Sequence, residues 1–244
     1  MRRSFLLAGA GLLLGGRAMA QSFTEAQRQE IVGILREALR RDPSILRDAF
    51  QAIQDAEERE RTEAQRAAIA ANRDALFNNR ESPVRGNPRG DVTIVEFFDL
   101  RCPHCKRLHA EMVGLLRRDG ELRVVMKDLP ILGPQSVVAA RALLAAQRQG
   151  KYVELFDALM AVRGEPTDAV IRAAAERLGI DHARLRREMD DPAIQRRIEA
   201  NIALARALRI EGTPALVIGE TLIPGVIPMA QLEQIIAEQR QRRR

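Results

Sequence analysis

The stretch Val92-Thr-Ile-Val-Glu-Phe-Phe-Asp-Leu-Arg-Cys102-Pro103-His104-Cys105-Lys-Arg-Leu-His109 decides the fold. Val92, Ile94, Val95, Phe97 and Phe98 make a β-branched and aromatic run of strand length. Pro103 stands where a helix tolerates proline, in its first turn. Leu108, Met112, Leu115 and Leu116 then recur at helical spacing. Cys102 therefore falls at a helix start, where unpaired N–H groups and the macrodipole favour an anion, here a thiolate.

A thiolate is the species that attacks a disulfide. His104 and the second thiol of the Cys-X-X-Cys turn add to the helix start in favouring it at Cys102. Cys105, one turn in, is placed to resolve a mixed disulfide from inside the protein. Glu96 lies among apolar strand residues and is a candidate to pass protons to and from Cys105; the alternative is a strand-edge acid with its head in water. A purely structural Cys102–Cys105 bridge would close too short a loop to stabilise much. A metal site built from Cys102, Cys105, His104 and His109 lacks the second thiol pair of a strong zinc motif. His109 reads as an exposed helix residue without a role, and His182 as a helix-start residue.

Strand, Cys-Pro-His-Cys and helix, in that order, resemble the DsbA-like thiol–disulfide oxidoreductase family of the thioredoxin fold. A second match is Ile210-Glu-Gly212-Thr213-Pro214-Ala-Leu-Val-Ile-Gly219. The resemblance implies a cis Pro214 facing the dithiol, with the Thr213 backbone pairing to an extended substrate chain while Cys102 attacks. On this reading Cys102, Pro103, His104 and Cys105 form the catalytic group with Glu96 as the candidate proton relay, and the redox-active Cys102–Cys105 pair requires no organic cofactor and no metal. Threonine before the proline looks like the isomerase and reductase members, and the Pro-His dipeptide looks like the oxidant.

The chain has 244 residues, 46% of them hydrophobic and 3% aromatic, so Leu, Ile, Val and Ala must fill the core. The formal charge of +6 drops to +3 without Arg2, Arg3 and Arg17, which does not argue for nucleic acid. Residues 1–20 read as a signal peptide cleaved near Ala20: Arg2-Arg3, a short apolar run from Phe5 to Leu14, then Ala18-Met19-Ala20. Arg2-Arg3-Ser-Phe-Leu also resembles a twin-arginine signal, so either the general secretory or the twin-arginine route serves. Export to the periplasm fits disulfide chemistry, and neither of the two cysteines is spent on stapling.

Residues 21–80 are expected to be a separate helical segment. Thr24 and Gln27 offer a capping box, and Ile31, Ile34, Leu35, Ala38 and Leu39 line one face. Asp42-Pro43 restarts a helix whose face is Ile45, Leu46, Ala49, Phe50 and Ile53. A charged stretch from Gln54 to Arg66 follows, with thin alanine faces up to Leu76 and Phe77. Such helices hold too little apolar surface for a core of their own and must dock on the main domain of the same chain or on another subunit. Phe23 to about Ala56 is similar to the N-terminal segment of the ScsC (suppressor of copper sensitivity protein C) branch of the family. That similarity implies a homo-oligomer, a trimer in some members. Residues 81–90 read as a turn-rich linker.

The main domain is expected over 91–240: an α/β thioredoxin fold of DsbA-like type with a helical insertion about 134–209. Leu122 to Asp128 supplies a second strand, the insertion roughly five helices, and Ala215–Ile218 with Glu220–Ile223 a hairpin through Gly219. Pro228 opens a last helix, and the basic end, Arg240 and 241–244, reads as a solvated tail.

Together these readings describe an exported disulfide isomerase or reductase. Its substrates would be cysteine-containing exported proteins, and a membrane dithiol/disulfide protein would be its electron partner. A monomeric dithiol oxidase and a copper(I)-binding protein using both cysteines as soft ligands are the alternatives.

Overall fold

A computed structural model describes residues 23–242. The expected signal peptide, residues 1–20, lies outside them. The chain divides into two compact units between Glu58 and Arg59.

In the first unit, helix α1 (Glu25–Arg41) opens on Thr24. The Thr24 hydroxyl accepts from the Gln27 N–H at 3.3 Å, and the Gln27 side chain accepts from the Thr24 N–H at 2.9 Å. Helix α2 (Ser44–Ala71) follows Asp42, whose carboxylate accepts from the Ser44 N–H at 3.0 Å. None of the α1 residues is buried. Ile34 and Phe50 are each 64% exposed, and Ile31, Leu35, Ile45, Leu46 and Ile53 are exposed with them.

The second unit begins inside α2. Ile69 is buried, as is Leu76 on the π-helical turn Asp74–Asn78 that follows. The segment expected to run from 21 to 80 thus changes allegiance at Arg59. The reason is local: Ile69 and Leu76 join Val95, Phe97, Val125, Leu204 and Leu208 in a core cluster on one face of the sheet.

That sheet has five strands in the order β1-β3-β2-β4-β5: β1 (Val84–Gly86), β2 (Val92–Phe98), β3 (Leu122–Asp128), β4 (Ala215–Ile218) and β5 (Thr221–Pro224). β2 and β3 are parallel, and all other neighbours antiparallel. β1 is a correction to the expected linker 81–90, because three of its residues pair with Arg123–Val125.

β2 is buried on both faces, so its sequence is nearly continuous in apolar residues. Val95 and Phe97 point to the cluster just named. Val92, Ile94 and Phe98 point to the larger cluster, formed with α3 (Pro103–Arg118) and the insertion. Two-residue periodicity puts Glu96 on this second face, beneath the dithiol helix.

The insertion comprises α4 (Pro134–Gln147), α5 (Tyr152–Met160), α6 (Asp168–Arg177), α7 (His182–Met189) and α8 (Pro192–Ala207). Phe156 of α5 meets Phe98 of the sheet edge-on at 4.8 Å between centroids, joining insertion to sheet. Helix α9 (Met229–Arg242) is the last element of the described residues. Arg240 does not belong to a solvated tail: it pairs with Asp91 at 2.6 Å and Asp119 at 3.0 Å. No helix among the described residues is long and apolar enough to cross a membrane.

Candidate functional site

Cys102 is the N-cap of α3, with Pro103 in the first turn. Its backbone is extended (φ −71°, ψ 119°). Cys102 Sγ donates to the Thr213 carbonyl at 3.2 Å, and the Thr213–Pro214 peptide is cis. Residues 111 positions apart are thus brought into contact at the end of β2 and the start of β4. Cys102 is 5% exposed, Pro103 and His104 are exposed, and Cys105 is fully buried. Both cysteines are free thiols.

Burial drives the Cys105 thiol strongly upward, with smaller pushes from Cys102 and Glu96 that hydrogen bonds from the Asp99 backbone and Thr213 oppose. Glu96 is 1% exposed, which removes the reading of a strand-edge acid with its head in water. Its Oε1 has no partner among the described residues. Burial raises its pKa from 4.5 to about 7, against the pull of Arg85. Its charge is felt at Cys105, and a buried carboxyl poised near neutrality has the chemistry a proton relay needs.

His104 meets Arg107, whose guanidinium donates to His104 Nδ1. Arginine has no acceptor, so Nδ1 is the acceptor in this contact. In this arrangement the permanent cation beside the turn is Arg107, a group sequence reading left unassigned.

Other groups were also missed. Asp99 is buried and accepts four hydrogen bonds: Arg101 N–H at 2.8 Å and Ser136 Oγ–H at 2.8 Å on Oδ1, Ile131 N–H at 2.9 Å and Leu132 N–H at 3.0 Å on Oδ2. It ties the loop before Cys102 to the start of the insertion. Its one local signal is the Asp-X-Arg turn, in which an aspartate caps the N–H two residues on.

Arg101 bonds the Leu132 carbonyl and Glu165, and Lys106 bonds the carbonyls of Val162 at 2.8 Å and Gly164 at 2.5 Å. His109, expected to be exposed, is 8% exposed. It lies one turn beyond Cys105 on the buried face of α3, and its Nε2 meets Asp157 of α5 at 2.8 Å. Arg85 of β1 reaches the same carboxylate at 3.0 Å. His109 therefore braces α3 on α5. Among the described residues no group of three or more His, Cys, Asp or Glu side chains converges as metal ligands would.

Asp99→Asn tests the tie. An amide offers one oxygen, so its NH2 must face N–H donors on one side. The expected loss is about 1–3 kcal/mol, read as a lower urea midpoint at unchanged slope.

The family described as DSBA-like thioredoxin domain matches residues 93–237. A thioredoxin-like oxidoreductase from Silicibacter pomeroyi, solved as a crystal structure, is 43% identical; the match covers 70% of this chain and 98% of that one, with a TM-score of 0.67. Proteus mirabilis ScsC in a transitional conformation is 30% identical over 91% of this chain and 98% of its own, with a TM-score of 0.67. The Na(+)/H(+) antiporter NhaA 1 of Salinispora arenicola is 35% identical over 133 residues, 54% of this chain. The chain spans only 20% of the length of that antiporter.

Proposed function

We propose, from the premise that this chain belongs to the DSBA-like thioredoxin family, that it is an exported thiol–disulfide oxidoreductase that reshuffles disulfides in periplasmic proteins. The observation that carries the reading is Cys102 at the α3 N-terminus against the Thr213 carbonyl, with Cys105 buried behind it.

Cys102 thiolate attacks one sulfur of a substrate disulfide. A Cys102–substrate bond forms, the substrate bond breaks, and one substrate thiolate leaves. Cys105 then gives its proton to ionised Glu96 and attacks Cys102, which forms Cys102–Cys105 and frees the second substrate thiol. Alternatively, another substrate thiolate attacks the mixed disulfide, which rearranges the substrate and returns reduced Cys102. Net reduction needs a dithiol partner to restore the pair, and a membrane protein of that kind is the expected electron donor.

The exposed apolar faces of Ile34, Leu35, Phe50 and Ile53 support self-association through the N-terminal helices. Several dithiols on one oligomer favour isomerisation over oxidation. The Cys-Pro-His-Cys sequence supports the second reading, a dithiol oxidase.

Refolding of a scrambled disulfide protein separates the two. The mature chain should sediment as an oligomer and restore activity to the scrambled substrate. A chain beginning at Arg59 should sediment as a monomer and lose that capacity. A monomeric mature chain that only oxidises reduced protein would give the assignment to the oxidase.

A further inference from the structure

A groove of about 620 Å³ opens at Thr213 and Pro214, next to the carbonyl that holds Cys102. All its lining belongs to the second compact unit. One wall is the distal part of α2, with Arg61 and Gln65; the other is the end of α8 and the loop to β4, with Arg209 and Glu211. Two cations against one carboxylate make the lining net positive.

Arg209 is unusual in its backbone. It is the one non-glycine among the described residues with a positive φ, +56°. It sits in the turn that ends α8, where Ile210 N–H bonds the Ala205 carbonyl at 2.8 Å. The same turn after α4 and after α6 is made by Gly150 (φ +69°) and Gly179 (φ +67°), with Lys151 and Ile180 N–H bonded to Ala146 and Ala175 at 2.9 Å. Glycine is the residue that suits this conformation. At the one such helix end that borders the groove, the chain carries a long cation instead. Non-glycine residues held in this region cluster at functional sites.

We propose that Arg61 and Arg209 are specificity-determining residues that favour substrates carrying Asp or Glu within a few residues of the attacked cysteine. An extended chain advances about 3.3 Å per residue, so a peptide lying along Thr213 brings its next few side chains over this groove. The inference rests on the disulfide-exchange reading above and adds a substrate class to it.

The test uses the full mature chain in its reduced form. Its substrates are three cysteine peptides that differ only in flanking residues: Glu, Gln or Lys. Each carries its cysteine as a mixed disulfide with thionitrobenzoate. Cys102 attacks the peptide sulfur, the new Cys102–peptide bond replaces the peptide–thionitrobenzoate bond, and the coloured thiolate leaves.

The expected rate ratio of Glu to Lys peptide is about five- to tenfold at low salt for two partly exposed charge contacts. It falls toward one as salt shortens the reach of the charges. The Arg61→Glu/Arg209→Glu variant should invert the ratio, and Arg61→Ala/Arg209→Gly should bring it near one. Arg209→Gly alone should not lower Tm, since glycine suits the turn; a clear drop would make Arg209 a folding residue and overturn its assignment. A ratio near one in the wild-type chain, or one unmoved by charge reversal, overturns the proposal while exchange with the Gln peptide still stands. Failure to react with the Gln peptide removes the exchange reading and the inference with it.

Discussion

Replacing Cys102 by serine is expected to lower disulfide exchange by at least about three orders of magnitude, the scale on which a lost nucleophile tells. Cys105→Ser should behave differently. Its first step survives, because Cys102 keeps its place at the α3 N-terminus and its contact with Thr213. The second step is blocked, so mixed disulfides with substrate accumulate and appear on non-reducing gels. The asymmetry follows from burial: Cys105 is fully enclosed and burial favours its protonated form, so an incoming substrate sulfur meets Cys102 first. Serine at 102 that left exchange intact, or equal trapping by the two variants, would break the assignment of roles.

Glu96→Gln is expected to make the protein more stable and less competent. In the folded state Glu96 holds its proton up to about pH 7, whereas at its ordinary value of 4.5 it would ionise much earlier. Between those values the native state binds more protons than the unfolded chain, so stability falls as pH rises. The penalty is fully present above about pH 7 and absent below pH 4.5. It amounts to on the order of 3 kcal/mol. Glutamine removes it. Urea midpoints of variant and wild type should therefore coincide near pH 4 and separate in the variant's favour by pH 8. Asp128, also raised to about 7 by burial, keeps a residual slope of the same sign in both proteins.

Glutamine also cannot accept the Cys105 proton, so resolution of the mixed disulfide slows while the first attack does not. Stability gained where function is lost is the mark of a site held away from its folding optimum. A stability difference that does not change with pH would remove Glu96 from this role.

The sequence shows the catalytic strand, the capped dithiol and the helical insertion because each is a local pattern. Val92 to Phe98 is apolar on both sides, Pro103 marks a first turn, and the last three helices of the insertion carry their own side-chain caps. Asp181 and Asp191, for example, accept from Arg184 N–H at 2.9 Å and Ala193 N–H at 2.8 Å.

What the sequence hides is mostly long-range. β1 holds only three residues among prolines and glycines and exists because β3 offers it a free edge. The Asp99 tie joins groups more than thirty residues apart, and no spacing rule finds it. Residues 59–80 resemble the exposed helices before them because alanine covers most of their apolar face. Only Ile69 and Leu76 mark where the chain turns inward.

His109 is a different kind of miss. Cys105, His109 and Met112 stand on one helical face, but a polar side chain there carries no apolar signal of burial. It is buried because Asp157 supplies a partner, and Asp157 is itself shared with Arg85 from the edge strand.

The three long-range bonds on Asp99 have a mechanical corollary. They lash the backbone just ahead of the attacking sulfur to the first residues of the inserted helices, so the two cannot loosen separately. A substitution deep in that insert, remote from either sulfur, can reach the reactive turn through this knot as well as through Arg101, Lys106 and His109. The aim of the sulfur is thereby made a property of the insert as much as of the turn that carries it.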